Sequence, residues 1–283
     1  MLTPGQIGRY CYDGYLFPFP ALSAAELAEC NDGLARFETW LGKPVNEGDF
    51  RWRSASYVIL PWVDALVRHK KILDVVEDLI GPDILVYTAT WFVKEAESPT
   101  FAAWHQDATY FGIEPYEHVT AWVALSDASA EAGCMEVASS QGRPRQMQHA
   151  ALRLEHSING AGQAIVERFF DGKGEMMQLA AGQFSLHHTL CAHRSAPNRA
   201  GHRRVGLGIS YIPARCHLTG AVRMCARLVR GRDSGGNFDL IAPPEGELHP
   251  AALERHERVY GRYRDNYAEQ IVAHEREFAA QPA

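Results

Sequence analysis

Three residues that lie far apart in the sequence constrain the fold more than any other feature. The tripeptide His105-Gln106-Asp107 is followed by His193, 88 positions after His105. Two imidazoles and one carboxylate can occupy one face of an octahedral metal ion and leave the other face open, as in non-haem Fe(II) oxygenases. Residues i and i+2 of a strand point to the same side, so His105 and Asp107 are expected to share a strand face. The chain must then fold so that a distant segment brings His193 to that face.

The alternative for this tripeptide is a surface loop that contains a stray histidine. The chain has 13 histidines, and at an Asp frequency of about 5% chance alone gives a His-x-Asp pair in roughly half of such chains. However, His105 is the only histidine with Asp two positions later, and it follows a strand-like run. This context favours the metal site over the surface loop.

Further motifs surround these residues over most of the chain. They are Trp104-His105-Gln106-Asp107, the strand-like run 119–125, Gly133-Cys134-Met135, Gly182, His188, His193-x-Ser195-x-x-Asn198 and Arg204. This combination resembles the phytanoyl-CoA dioxygenase family of Fe(II)/2-oxoglutarate-dependent oxygenases. The resemblance implies a mainly β fold with flanking helices, a double-stranded β-helix (jelly-roll, cupin-like) barrel. It also implies Fe(II) as the metal, 2-oxoglutarate as cosubstrate and O2 as oxidant.

The resemblance implies a role for each metal-site residue and for one arginine. His105, Asp107 and His193 would bind the iron and so be the catalytic residues. Arg204 lies eleven positions after His193, where the family has the arginine that pairs with the far carboxylate of 2-oxoglutarate. A guanidinium stays charged and offers a planar fork to a carboxylate, which suits that role. Neighbouring side chains of a strand face opposite ways, so Arg203 and Arg204 cannot both point inward, and the resemblance selects Arg204.

Two further groups of side chains are expected around the metal. By the resemblance, the cosubstrate is also contacted by Ser195, Trp122, Tyr87 and Gln106. The substrate would meet an aromatic wall next to the metal motif, formed by Trp104, Tyr110 and Phe111. For the aromatic residues of both groups, a place in the barrel core is the alternative.

The segment that contains His193 holds two other histidines, and the metal ligand must be chosen among them. Family spacing from Gly182 selects His193. His188 is expected to be a buried, hydrogen-bonded imidazole or to support a metal ligand. His187, on the other strand face, and Thr120 are expected to be structural.

Composition and motifs describe an ordinary globular enzyme of one domain. The chain has 283 residues, 46% of them hydrophobic and 22% charged, a size at which double-sheet β folds commonly form one domain. The net charge of −6 predicts no nucleic-acid or anionic-membrane partner. Glycine-rich nucleotide loops and the Gly-x-Ser-x-Gly hydrolase motif are absent from the sequence. Six cysteines without a C-x-x-C pair, and no apolar run near the 18 or so residues that span a bilayer, predict a cytoplasmic protein.

Periodicity divides the chain into helical and strand-rich parts. Ser23 and Glu26 form a capping box that starts a helix, and apolar spacing predicts a second helix over 61–80. Strands are predicted at 84–93, 119–125, 134–138, 183–191 and 205–212. The expected segments of the single domain are a helical N-terminal support at 1–82, a jelly-roll core at 83–215 with an insertion at 141–173, and a C-terminal extension with a helix at 216–283.

Two segments outside the barrel are expected to decide what the enzyme accepts. The insertion contains the turn-like Gly160-Ala161-Gly162 and is long enough to act as a lid. The segment 222–244 is rich in arginine, which either receives an anionic substrate or forms a solvated face. It is followed by a charged helix at about 250–278, whose apolar face is expected to pack against the barrel or against a second subunit in a homodimer.

The predicted function is hydroxylation of an unactivated C–H bond of a small-molecule metabolite, with release of succinate and CO2. Related halogenases carry Gly or Ala in place of the carboxylate ligand, so Asp107 favours oxygen insertion over chlorination. A desaturase or ring-forming oxidase with the same iron site is the alternative within this class. A non-catalytic cupin-like sensor that binds a metal or metabolite is the alternative from another class, and the substrate stays open.

Overall fold

The computed structural model describes residues 1–152, 154–158, 163–169, 172 and 174–279, and β-strands dominate its centre. The strands of the described residues are β1 (Tyr15–Pro20), β2 (Ile84–Lys94), β3 (Ala102–His105), β4 (Ile113–Glu114), β5 (Val119–Ala124), β6 (Met135–Val137), β7 (His149–Ala151), β8 (Gln163–Ile165), β9 (Glu175–Met177), β10 (Gln183–His188), β11 (His193–Ser195), β12 (Arg204–Pro213), β13 (His217–Leu218), β14 (Cys225–Arg230) and β15 (Asp239–Leu240). All five predicted strands are present, with ends that shift by up to three residues.

Two of the sheets formed by these strands build the jelly roll. The larger sheet has the strand order β1-β10-β5-β12-β2-β14-β15, and the smaller has the order β3-β11-β6-β9. Strand β12 is buried along its whole length because it lies between β2 and β5 in the centre of the larger sheet. The mainly β jelly-roll fold predicted from the sequence is confirmed.

Helices flank the two sheets. They are α1 (Pro4–Asp13), α2 (Ala24–Leu41), α3 (Phe50–Arg53), α4 (Pro61–Val67), α5 (Lys70–Ile80), α6 (Ala108–Phe111) and α7 (Pro250–Ala279), with short 3-10 turns at Val45–Glu47 and Ser56–Val58. Helix α2 begins at the predicted capping box, where Ser23 and Glu26 satisfy each other's backbone N–H groups. The single helix expected over 61–80 is two helices, because His69 has an extended backbone (φ −60°, ψ 124°) between α4 and α5. No helix in the described part of the chain is long and apolar enough to cross a bilayer.

The larger sheet draws strands from beyond the segment predicted as its core. Strand β1 pairs with β10, so part of the predicted helical support at 1–82 is an edge of the sheet. Strand β14 pairs with β2 on one side and with β15 on the other, so strands of the C-terminal extension form the other edge of this sheet. The division at residues 82 and 215 therefore does not match the sheet boundaries. Sequence periodicity identifies strands but does not show which strands become neighbours.

The insertion and the C-terminal helix lie against the barrel. In the insertion, β7 and β8 form an antiparallel pair, and the Gly160-Ala161-Gly162 sequence lies outside the described residues. Helix α7 packs on its own chain: His256 Nε2 lies 2.8 Å from the carbonyl oxygen of Ser54, and Asn266 donates to the Tyr87 hydroxyl at 2.9 Å. Packing against the barrel is thus confirmed for α7, and the homodimer stays a prediction.

Candidate active site

The predicted metal ligands meet at the end of the smaller sheet. His105 is the last residue of β3, His193 is the first residue of β11, and the two are register partners. Asp107 has helical backbone angles (φ −65°, ψ −34°) as the residue before α6. One ligand atom from each residue lies within 4.8 Å of the other two. The expected shared strand face is therefore wrong, because the chain leaves the strand after His105 and this turn brings the carboxylate to the imidazoles.

Backbone carbonyl groups determine which ring nitrogen of His105 and of His193 carries the proton. His105 Nδ1 lies 2.8 Å from the carbonyl oxygen of Ala103, and His193 Nδ1 lies 3.0 Å from that of Cys191. A carbonyl oxygen only accepts hydrogen bonds, so Nδ1 carries the proton in both rings and Nε2 keeps its lone pair. Burial lowers the pKa of both histidines. Each ring is thus oriented as a neutral nitrogen donor, which is the form that binds a metal.

Asp107 is held by two hydrogen bonds to the same carboxylate oxygen. Its Oδ2 accepts from Thr120 Oγ1 at 2.9 Å and lies 3.2 Å from His187 Nε2, while Oδ1 lies 3.9 Å from His193 Nε2. Burial raises the pKa of this carboxyl, but hydrogen bonding, above all from His187, lowers it, and the pKa lies well below its usual range. Asp107 is therefore ionised, with Oδ1 directed to the histidine nitrogens.

The donor set fits a first-row metal ion that keeps open positions. It offers two neutral imidazole nitrogens and one carboxylate oxygen, which is the ligand pattern of non-haem Fe(II) sites. His193 is buried and the other two ligands are half-buried. Two cavities border the group, and both have His105 and Asp107 in their linings. The open side of such a metal would therefore face space that can hold small molecules.

The first of these spaces, which we call the cosubstrate cavity, runs from the metal group to Arg204. It has a volume of about 40 Å³ and is lined by both histidine ligands, Asp107, Trp122, Ser195 and Arg204 among others. Arg204 is buried, its guanidinium donates to the Gly133 carbonyl, and it lies 5.3 Å from the centre of the Trp122 ring. Arg203 points outward and pairs with Glu38 and Glu95. The strand register thus matches the choice of Arg204 over Arg203.

A second buried basic side chain, Lys94, lies behind this cavity and was not anticipated from the sequence. Lys94 is the register partner of Arg204 and is fully buried. Its Nζ donates to Ser195 Oγ at 2.8 Å and also to the Ala196 carbonyl. Within the described residues, no acidic side chain forms an ion pair with Lys94 or Arg204. Arg204 is thus a buried cation without a carboxylate partner among the described residues, which indicates an anionic ligand, since burying unpaired charge is costly.

Gly206, two positions after Arg204 on β12, makes room for Trp122, which gives a test of this packing. A Cβ on Gly206 would lie 1.9 Å from Trp122 Cζ2, so Gly206→Ala should displace the ring and destabilise the protein by about 1–3 kcal/mol. Thermal unfolding followed by tryptophan fluorescence measures both effects. Gly201→Ala is the control, because its Cβ would meet nothing within 4 Å. Equal melting temperatures for the two variants would show that Trp122 is not packed as described.

Gln106 and Tyr87, both predicted at the cosubstrate, lie elsewhere. Gln106 is fully buried and points away from the metal, with its amide donating to the carbonyls of Leu190 and Arg145 at 2.6 and 2.8 Å. Its hydrogen bond to Arg145 connects the segment between His105 and Asp107 to the insertion at 141–173. Tyr87 lies in a separate core cluster, where its ring packs 5.1 Å from that of Phe111 and α7 covers its hydroxyl. Neither side chain lines the cosubstrate cavity, because Gln106 faces the other way from its neighbour His105 and Tyr87 is covered by α7.

The predicted aromatic wall is formed only in part. Tyr110 and Phe111 line the second cavity together with His105 and Asp107. Trp104 lies on the opposite side of β3, with its ring 5.6 Å from that of Phe169 and 4.8 Å from the Arg194 guanidinium. The alternation of side chains along the strand explains this difference, since the metal ligand His105 and its neighbour cannot face the same way.

The two other histidines of the His193 segment differ in their contacts with the predicted metal ligands. His187, expected to be structural, contacts the Asp107 carboxylate and lines the cosubstrate cavity. His188, expected to be buried, is half-buried, and its Nε2 lies 2.6 Å from the Tyr116 carbonyl oxygen, away from the metal group. Thr120, also expected to be structural, donates to Asp107. The two residues that hold the Asp107 carboxylate were therefore not identified from the sequence.

Three of the arginines of 222–244 form ion pairs within the chain. Arg223 pairs with Asp239, Arg227 with Asp64, and Arg230 with Asp74 and Glu77. Because these three charges are already partnered, the structure does not favour an anionic substrate held by them.

A jelly roll that holds two histidines and one carboxylate beside a cavity defines a non-haem metal-dependent oxygenase. The family model of phytanoyl-CoA dioxygenase (PhyH) matches residues 10–206. The chain belongs to this family of non-haem Fe/2-oxoglutarate-dependent oxygenases.

Individual relatives agree with this assignment. The structure of the non-heme monooxygenase ThoJ in its apo form is 30% identical with a TM-score of 0.83, and the match covers 94% of this chain and 99% of ThoJ. The ThoJ–Ni complex is 29% identical with a TM-score of 0.76, covering 93% and 99%. A protein of Stutzerimonas stutzeri named "Probable alpha-ketoglutarate-dependent hypophosphite dioxygenase" is 24% identical over 153 residues, 54% of this chain and 53% of that protein. The match thus spans about half the length of that relative.

Proposed function

We propose that this protein is an Fe(II)- and 2-oxoglutarate-dependent oxygenase that hydroxylates a C–H bond of a small molecule. The observation that carries the proposal is the cosubstrate cavity, with the His105, Asp107 and His193 group at one end and Arg204 at the other. A diacid such as 2-oxoglutarate matches this cavity, because one end can meet a metal and the other a guanidinium. The family, ThoJ with its bound Ni, and the alpha-ketoglutarate dependence in the name of the S. stutzeri relative support this reading.

We assign each residue of the site a role in the proposed reaction. His105, Asp107 and His193 would hold Fe(II), which together with 2-oxoglutarate and O2 supplies the oxidant for a C–H bond and yields succinate and CO2. Arg204 would bind the far carboxylate, and Ser195 would add a hydroxyl hydrogen bond to it. Thr120 and His187 fix the Asp107 carboxylate through its Oδ2 atom.

The lining of the site is suited to a small organic substrate and leaves little room for water. Burial around His193, Trp122 and Arg204 excludes water from the cosubstrate end. Tyr110 and Phe111 form an apolar wall on the other side of the metal group, in the cavity where a substrate C–H bond would be presented. These features favour turnover over the passive binding of a sensor.

Turnover without a known substrate tests this function. Protein supplied with Fe(II), ascorbate, 2-oxoglutarate and O2 should release succinate slowly, and anaerobic metal-loaded protein should bind 2-oxoglutarate in a calorimeter. A screen of metabolites for succinate release above this background would then identify the substrate. Failure of the metal-loaded protein to bind 2-oxoglutarate would refute the proposal, and binding without any succinate would favour the sensor.

Protonation of Lys94 gives an independent prediction about the cosubstrate end. Burial, together with the Arg204 charge, lowers the pKa of Lys94 to about 6, so its amine is mostly neutral near neutral pH. A carboxylate bound beside it should raise this pKa, because an opposite charge favours the ammonium form. Binding of 2-oxoglutarate should then take up a fraction of a proton and weaken as the pH rises above that value.

Calorimetry in buffers that differ in ionisation enthalpy measures this proton uptake. Lys94→Met should bind 2-oxoglutarate without the uptake, while Lys71→Met, which changes a lysine on α5 far from this cavity in the fold, should keep it. Uptake of the same size in the Lys94 variant would assign the proton to another group.

A further inference from the structure

Two connected cavities lead outward from the metal group, and together we call them the substrate channel. The inner cavity is the one that Tyr110 and Phe111 line beside the metal group; it has a volume of about 90 Å³ and includes His105 and Asp107 in its lining. The outer cavity has a volume of about 390 Å³. The residues that line both cavities are Phe50, Arg53, Ile158, Tyr263 and Tyr267. This shared wall makes the two cavities one path from the surface to the metal group.

Aromatic rings follow this path from the metal outward. The Tyr110 ring lies 6.1 Å from the imidazole of His105 and is stacked on that of Tyr267 at 4.9 Å with an interplanar angle of 13°. The Tyr267 ring lies 6.0 Å from that of Tyr263, which lines the outer cavity. Flat aromatic faces in a channel provide favourable contacts for a flat apolar ring. The rings on α7 and α6 therefore indicate a substrate with an aromatic body.

One cation of the channel has no acidic partner. The Arg53 guanidinium lies 4.8 Å from the centre of the Phe50 ring, and its Nε atom is buried without a hydrogen-bond partner. No Asp or Glu among the described residues forms an ion pair with Arg53, whereas Arg51 on the same helix pairs with Glu257 at 3.0 Å. The described residues that line the outer cavity include no Asp or Glu. Burial also lowers the pKa of Arg53, as expected for a cation without a counter-ion.

The second arginine of the outer cavity differs from Arg53. Arg264 is mostly exposed and bonds to the carboxylate of its neighbour Asp265 at 2.9 Å. A planar guanidinium with free donors, half-buried in an apolar channel, is suited to bind a carboxylate through two hydrogen bonds. Arg53 is thus the residue that a negatively charged substrate would meet in the channel.

We propose that the substrate channel binds an aromatic carboxylic acid, with its carboxylate on Arg53 and its ring among Tyr110, Tyr263 and Tyr267. In this position the ring lies between the arginine and the metal group, so a C–H bond of the ring's inner end or side chain faces the ligands. The inference rests on the proposed function for the reaction itself. It adds the class of substrate and the residue that selects it.

Matched pairs of small molecules test the charge requirement. Calorimetry would use benzoate, phenylacetate and naphthoate, each beside its primary amide, with Mn(II)-loaded protein under nitrogen and saturating 2-oxoglutarate. Saturation keeps these acids away from Arg204. At least one acid should bind about tenfold or more tightly than its amide, as expected for hydrogen bonds to a charged group. Cyclohexanecarboxylate should bind more weakly than benzoate, because it lacks the flat ring.

Variants on one helix then assign the effect to one residue. Arg53→Gln should remove the advantage of the acid over its amide, and Arg53→Lys should keep part of it. Arg51→Gln makes the same charge change two positions away, outside the channel, and should leave the advantage intact. Thermal unfolding of each variant checks that it is folded.

The outcomes separate this inference from the proposed function. If no acid of the set binds, if acid and amide bind equally, or if Arg53→Gln keeps the preference, the inference is wrong, even when 2-oxoglutarate binds normally. If 2-oxoglutarate fails to bind while the acid preference and its loss in Arg53→Gln are observed, the proposed function fails and the channel assignment stands.

Discussion

Asp107→Ala should lower hydroxylation by at least about 100-fold, the upper end of what the loss of a supporting residue alone costs at a metal site. The variant loses one of three ligands and the only carboxylate of the group, so less negative charge remains to balance a divalent ion. His105 and His193 keep their Nδ1 hydrogen bonds to backbone carbonyls, which do not depend on Asp107. Some metal binding should therefore persist in this variant.

Product analysis with the identified substrate in chloride buffer, together with metal content, measures this effect. Thr120→Val is the graded control, because it removes only the hydroxyl that donates to Asp107 Oδ2 and should cost roughly 10–100-fold in metal affinity. Hydroxylation at the wild-type rate in Asp107→Ala would show that Asp107 is not a ligand. Chlorinated product from the wild-type protein would overturn the choice of hydroxylation over chlorination.

The sequence predicted which residues form the candidate donor group but not how the chain brings them together. A His-x-Asp pair and a distant histidine specify chemistry, and the structure indeed gathers these residues within 4.8 Å. The strand argument used to place Asp107 was wrong, since its backbone is already helical. Residue type and spacing therefore predict a donor set more reliably than they predict the path of the chain through it, because a short turn can replace strand alternation.

Residues whose role depends on a distant partner could not be predicted from the sequence. Lys94 ends a mostly apolar strand, and only the pairing of this strand with β12 places it beside Arg204. Arg53 lies in a helix of four residues, and it lines the substrate channel together with Tyr263 and Tyr267 of the distant helix α7. The role predicted for Tyr87 depended on a distant partner in the same way, since Asn266 of α7 covers its hydroxyl. One signal was available for Lys94, namely a lysine at the end of a run of otherwise buried apolar residues.

Arg204→Ala should weaken 2-oxoglutarate binding by roughly 2–5 kcal/mol, because a buried carboxylate would lose its charged partner. Lys94 keeps a positive charge nearby only when it is protonated, and burial lowers its pKa to about 6. The residual affinity of the variant should therefore fall further as the pH rises. Anaerobic calorimetry with the metal-loaded protein measures both effects, and thermal unfolding checks that the variant is folded.

Arg203→Ala is the matched control, since it removes the adjacent arginine on the other strand face. That side chain pairs with Glu38 and Glu95 near the surface, so its loss should cost no more than about 1 kcal/mol of stability and leave 2-oxoglutarate binding unchanged. If Arg203→Ala instead weakened cosubstrate binding more than Arg204→Ala, the register of β12 against β2 would have to differ by one residue. Such a shift would also move Lys94 away from the inward-facing arginine, so a single pair of variants tests the whole cosubstrate end of the cavity.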